Sequence, residues 1–405
     1  MQDHRPVRFL DRTTPPHIAT LILIAGLGAL TMNIFLPSLP AMSLYFETDY
    51  RIMQLSVALY LGVNAVLNIL IGPLSDRFGR RSVLLWGLAL FTLASLGCVL
   101  APTVEVFLAF RMAQAVVVVG LVLSRAVVRD IVPQNEAASM IGYVTMGMAL
   151  VPMIGPAIGG VLEDTLGWHS NFWLLALLGI AIFALVYFDL GETNLRPSAS
   201  FAAQIRDYPE LLTSRRFWGY CLASAFASGA FFAYLGGAPF VGDEIFGLSP
   251  TWLGIYFGAP AVGYMVGNFI SGRYSVRMGI NAMVLWGSVL NTIGLLIALS
   301  LFLTGYRSAE IYFSFMTFVG LGNGMVIPNA TAGMLSVRPQ LAGTASGLGA
   351  AVMIGGGAAL SALAGALLTV ESGTLPLLWT QLATAAAALA AILYVIRRER
   401  HLTTP

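Results

Sequence analysis

No lysine occurs in these 405 residues; all basic side chains are arginines, 21 of them. Charged residues make up only 10% of the chain, against roughly 25% in soluble domains, and 58% are hydrophobic. So little charge cannot build the polar shell that water requires around a chain of this length. Four histidines are present, and His4, His17, His169 and His401 all fall outside the apolar runs. There is no H-E-x-x-H and no Ser/His pair at a common depth, so an intramembrane enzyme is disfavoured and neither metal nor cofactor is indicated. Cys98 and Cys221, the two cysteines, lie far apart within apolar runs and read as small buried residues. None of the 19 acidic residues lies near the middle of an apolar run.

What the chain does have is apolar stretches of about 20 residues separated by short polar turns, the pattern of a polytopic membrane protein. They cover 18–45, 54–74, 82–101, 105–128, 138–161 and 171–190, then 217–240, 251–271, 281–304, 310–334, 343–368 and 374–396. Hydrocarbon offers backbone amides no partner, so the runs must be helices or barrel strands, and they lack a strand's strict alternation. The expected fold class is an all-α membrane protein with twelve transmembrane helices. The first run is too long for the roughly 7–15-residue core of a signal peptide, and reads as an uncleaved first span.

With the N-terminus in the cytoplasm, 18 arginines fall in inward segments, Arg51 and Arg307 alone in outward loops, and Arg111 inside a span. The positive-inside rule then places both termini in the cytoplasm of a bacterial-type cell, with the chain in its inner membrane. A net charge of +2 gives no reason to expect a nucleic-acid partner. A monomer in the lipid bilayer is expected.

The long polar interruption at 191–216 divides six spans from six, giving bundles at 1–190 and 217–405 joined by a cytoplasmic linker. Tyr60, Gly62, Ala65, Val66 and Arg77 recur as Tyr256, Gly258, Ala261, Val262 and Arg273. Leu85-Trp86-Gly87 recurs as Leu285-Trp286-Gly287, and Met153-Ile154-Gly155 as Met353-Ile354-Gly355. Matches in the same order point to a parallel repeat about an axis along the membrane normal, with a binding site between the halves.

Between the second and third spans stands Gly72-Pro73-Leu74-Ser75-Asp76-Arg77-Phe78-Gly79-Arg80-Arg81. Glycines permit a tight turn, and a carboxylate among arginines can form a switchable charge cluster at a helix end. The string resembles the G-x-L-x-D-R-x-G-R-[RK] signature of the major facilitator superfamily at every defined position. The resemblance implies two pseudo-symmetric six-helix bundles and a conformational latch formed by Gly72, Asp76, Arg77, Gly79 and Arg80. The second-half counterpart, Ser271 to Gly279, is degenerate.

Gly147 and Gly155-Pro156-Ala157-Ile158-Gly159-Gly160, in the fifth span, resemble the antiporter motif of that superfamily; Val151 replaces one family glycine. Such residues also serve plain packing and kinking. Three strings resemble the Bcr/CflA drug-resistance branch: Asn33 to Pro40, Ser124 to Asp130, and Gly167-Trp168-His169. In many proteins of that branch a proton-carrying aspartate occupies the position of Asn33, and an amide carries no proton. Any proton coupling then falls to a carboxyl near a span end, with Asp130 and Glu105 as candidates.

Arg111 and Gln114 match the superfamily's R-x-x-Q pattern on one helix face, roughly 9 Å below the span's outer end at 1.5 Å per residue. Arg111 either snorkels to the surface or faces a central cavity. The other candidate cavity residues are Asn33; the Tyr60, Asn64 and Asn68 stripe; and an aromatic wall of Phe231, Phe232, Tyr234 and Tyr256. The expected function is efflux of small amphipathic compounds by alternating access, proton-coupled by resemblance. A carrier of an anionic metabolite using Arg111 is the alternative among transporters, and a channel or non-transporting receptor the alternative outside them.

Overall fold

The computed structural model describes residues 7–132, 140, 144, 151–194, 211–338 and 342–403. Among them, eleven helices are long and apolar enough to cross a membrane. In chain order these are α1 (Ile18–Tyr45), α2 (Tyr50–Phe78), α3 (Arg80–Val99), α4 (Val104–Ile131), α6 (His169–Asp189), α7 (Arg215–Ile245), α8 (Pro250–Met278), α9 (Ile280–Leu303), α10 (Ala309–Val337), α11 (Ala345–Leu367) and α12 (Leu375–Arg400). The predicted fifth span is described from Val151 onward as α5 (Val151–Leu166). Gly147 and residues 195–210 of the predicted linker lie outside the described residues.

Local chemistry sets the helix ends. Asp49, Thr103, Ser214, Ser249 and Ser308 each accept an amide of the first turn of α2, α4, α7, α8 and α10, removing an otherwise orphaned donor. Gly79 and Gly279 end α2 and α8 at φ +91° and +83°, a region that side chains with a Cβ rarely adopt. Their N–H groups return to Ser75 and Ser275, so the sequence repeat is matched by a repeat of the turn.

Within the first six helices, α3 packs on α4 and α6, and α1 on α4 and α6; in the last six, α7 packs on α10, α11 and α12, and α10 on α8 and α9. The two sets meet along α2 with α11 and α5 with α8. Large apolar side chains including Trp86, Leu93, Phe269 and Trp379 stand exposed on the outside, as a lipid-facing surface requires.

Candidate functional site

The first helix is broken, and the break organises the site. Pro37 and Pro40 lack the N–H groups that a continuous helix would use, so the first helical stretch ends at Asn33 and the chain passes through a tight turn at Leu36–Ser38. Asn33 sits at that end, and its Nδ2 donates to the Ala29 carbonyl at 2.7 Å. Arg111 of α4 donates to the Thr31 carbonyl at 3.0 Å, just before the break, and to Gln114 Oε1 at 2.8 Å. Gln114 in turn donates to Ser95 Oγ at 2.8 Å.

The Arg111 guanidinium is held between the rings of Phe35 and Tyr60, at 4.2 and 4.1 Å from their centroids. Two faces of π density and two hydrogen bonds replace the water the cation has lost. At 1% exposure Arg111 neither snorkels nor faces an open cavity; it ties α4 to the broken α1.

A cavity of about 220 Å³ lies between the two sets of helices. Asn33 and Ala29 line it from α1, and the rest of its wall comes from the last six helices, chiefly Phe231, Phe232, Phe257, Tyr264, Ile327 and Met353. Four polar side chains are among its described lining, Asn33, Ser228, Asn323 and Tyr264, the first three exposed by 3%, 3% and 4%. Among the described residues, no carboxylate or arginine is part of its lining.

Of the substrate residues expected from sequence, the structure brings Asn33 into this wall. It leaves Tyr60, Asn64, Arg111, Gln114, Tyr234 and Tyr256 outside it. Tyr60 is occupied with Arg111; Asn64 accepts from Asn68 Nδ2 at 2.7 Å; Tyr234 is buried in a ring cluster with Phe257, Tyr312 and Phe313. Tyr256 stacks on Phe313 at 5.0 Å. The aromatic wall is there, but it runs through Phe231 and Phe232 to Phe257 and Tyr264. Ser228 and Asn323 escaped the sequence reading. Asn323, a lone amide between glycines in an apolar run, was the signal available.

The loop between α2 and α3 holds an ion relay. Arg80 pairs with Asp76 at 2.5 Å and with Asp130 of α4 at 3.2 Å, and also reaches Ser75. Arg81 donates to the carbonyls of Leu190 and Tyr187 at 2.8 and 3.0 Å. Glu192 accepts the Arg80 and Arg81 amides, capping α3. Every partner of Asp76, Arg80 and Arg81 described here comes from the first half. Nothing stands within 4 Å of a Cβ built on Gly72, and Arg77 lies over the Phe78 ring.

The opposite end of the molecule is bridged between the halves. Gln54 Nε2 donates to the backbone oxygen and the Oγ of Ser361 at 2.6 and 2.8 Å. Tyr50 donates to the Gly236 carbonyl at 3.2 Å, and the Thr251 amide donates to Asp164 Oδ2 at 2.9 Å. The glycines of α5 make this seal possible. A Cβ at Gly159 would fall on the Ile34 carbonyl and one at Gly160 on the Pro250 carbonyl, while one at Gly254 of α8 would meet that of Pro156. Gly155 packs against Leu30, at 3.1 Å from a Cβ built there. Glu105 caps no such contact; it stands exposed at the start of α4. Asp130 belongs to the relay.

A helical membrane protein with a cavity between two helix sets, bridged at one end and carrying an ion relay at the other, has the layout of an alternating-access transporter. The sequence model of the Major Facilitator Superfamily matches residues 21–362, and the chain belongs to that family. It is 30% identical to the chloramphenicol resistance protein of Pseudomonas aeruginosa, over 80% of this chain and 78% of that one. An uncharacterized MFS-type transporter of Bacillus subtilis, YdgK, is 34% identical over a shorter match, 62% of this chain and 64% of its own length. The solved structure of a peptide transporter in complex with alafosfalin superposes with a TM-score of 0.77, covering 95% of this chain and 94% of that one at 14% identity, which shows the shared fold.

Proposed function

We propose that this secondary transporter exports small, uncharged amphipathic compounds from the cytoplasm across the inner membrane. The observation that carries this reading is the cavity itself, whose described wall is aromatic and aliphatic, with a few amide and hydroxyl groups and no charged side chain. The family membership and the resistance-named relative support efflux over a channel or receptor. The carrier of an anion through Arg111 is not favoured, since two hydrogen bonds and two ring faces hold that guanidinium away from the cavity wall.

In this reading residues 1–190 and 217–405 rock as two units within a monomer. The arginine distribution supports a cytoplasmic position for the relay end and both termini. On this reading the bridged end faces the outside, and the Gly72–Arg81 segment acts as the latch; its described ion-pair and hydrogen-bond partners within the first half support a disengaged state. Asn33 and the cavity lining supply no carboxyl, so any coupled proton is exchanged at a carboxyl outside the cavity.

The test is transport in vesicles with an imposed pH gradient, comparing chloramphenicol with the cation tetraphenylphosphonium and the anion benzoate. Export of the neutral compound alone is expected; preferential transport of benzoate would overturn the reading. Reporter fusions at Pro405 and near Gly305 should report opposite sides of the membrane.

A further inference from the structure

Ser228 Oγ and Asn323 Oδ1 are fully buried at the cavity wall and neither has a hydrogen-bond partner. Orphaned polar atoms in a bilayer-embedded site are costly, and native proteins leave them mostly where something else supplies the partner. Asn33 adds to the pattern, because its amide hydrogen is directed to Ala29 and its Oδ1 remains for a ligand. Two amide oxygens and the Ser228 hydroxyl therefore stand in a described wall otherwise made of rings, the Tyr264 phenol among them, aliphatic carbons and methionine.

Resting on the central-cavity reading above, we infer that Asn323, Ser228 and Asn33 form an acceptor set that selects compact uncharged ligands carrying an N–H or O–H donor. The amide oxygens accept and cannot donate, so a bond to either takes its donor from the ligand, while the Ser228 hydroxyl can serve in either sense. Charge is disfavoured from both sides. Among the described lining residues a cation finds no carboxylate to pair with, and ring faces and amide oxygens offset only part of its lost hydration. An anion would meet two amide oxygens and, among the described lining residues, no cation. The volume is below the roughly 300 Å³ at which drug-sized sites begin, so the occupant is compact. Sites built to hydrogen-bond a ligand discriminate strongly against analogues that lack the group, because the buried partner is then left unpaired.

Indole and 1-methylindole form a matched pair, alike in ring and nearly alike in size, one with an N–H donor and one without. Binding is measured by equilibrium dialysis of each against the full chain in nanodiscs, with empty nanodiscs subtracted and phenyltrimethylammonium as the cationic probe. Indole should bind at least about tenfold tighter than 1-methylindole, the effect of one buried hydrogen bond. The cation should not bind. Asn323→Leu should reduce indole to the level of 1-methylindole, while Asn323→Asp, which keeps an acceptor oxygen, should retain the preference. Equal binding of the two indoles, an unaffected Asn323→Leu variant, tight binding of the cation, or failure of the parent to bind either indole would each overturn the acceptor set. Ala261→Phe, which fills the cavity, separates the two levels of the reading. If it blocks both indoles while they bind the parent equally, the cavity is the site and the acceptor set is wrong; if both still bind, the central-cavity reading itself fails.

Discussion

The two halves share a backbone plan but not a chemistry. Gly79 and Gly279 turn the chain with the same positive φ, and Ser75 and Ser275 accept the same returning amide. Yet Asp76 and Arg80 of the first half correspond at that spacing to Val276 and Ile280 of the second. Deeper in the bundle, Arg111 follows the capping Thr103 at the spacing by which Met316 follows the capping Ser308. The buried cation is thus replaced by a thioether, which accepts a contact from Gln381 Nε2 at 3.3 Å. The cavity wall shows the reverse bias, with Asn33 and Ala29 from the first half and the remainder from the second. A duplicated fold keeps what the turn geometry needs and lets the rest diverge: the first half carries the Asp76–Arg80–Asp130 pairs and the buried Arg111, the second most of the described ligand wall.

The sharpest way to break this comparison is at the turn. Asp76→Ala should lower transport by about tenfold or more, the usual scale of a lost coupling between states, with insertion and expression preserved. Val276→Ala at the matching turn should leave transport near the parent rate. Equal loss from both would show that the turns matter only as shape.

Arg111→Lys tests the second contrast. A lysine keeps the charge but cannot stack between two rings or fork to two acceptors, and a loss of about 2–3 kcal/mol is expected from those contacts. Thermal unfolding in detergent should fall by several degrees, whereas Met316→Leu, a volume-conserving change, should cost less than about 1.5 kcal/mol. Comparable shifts would mean that Arg111 is merely space-filling.

At the bridged end, Gln54→Ala removes two buried hydrogen bonds to Ser361, worth about 1–2 kcal/mol together. Spin labels on the ends of α5 and α8 should then report a larger population with that end apart. An unchanged distance distribution would leave the closure to the glycine packing of α5 against α8.

The smallest effect is expected at the first half's contribution to the wall. Asn33→Ala should weaken apparent affinity by about twofold to tenfold. Asn33→Asp should make transport depend on pH, because it places an exchangeable proton in the cavity. Variants matching the parent in affinity and pH profile would show that Asn33 only caps its own helix through Ala29.

Much of this architecture was legible in the order of residues. Apolar runs marked the spans, and the glycines of the Gly72–Arg81 string marked the turn between the second and third. The candidate site was far less legible. Arg111 was expected either at the surface or in the cavity, and it lies in neither, because the break at Pro37 brings the Thr31 carbonyl and the Phe35 ring within its reach. The Tyr60, Asn64 and Asn68 stripe turned inward on its own helix and on Arg111. The aromatic strings Phe231-Phe232 and Tyr234 lie on one helix, yet only the first pair lines the cavity.

By itself the sequence determined the solvent of this protein, its helical class, its turns and the charged loop, since each depends on residue type and on spacing within one helix or turn. The tertiary structure alone decided which end is bridged, which polar atoms are left without partners and which side of each helix meets the cavity. Those properties depend on the rotation and approach of helices far apart in the chain. In spans apolar on every side, periodicity carries little of that information, and close contacts at Gly159, Gly160 and Gly254 supply it.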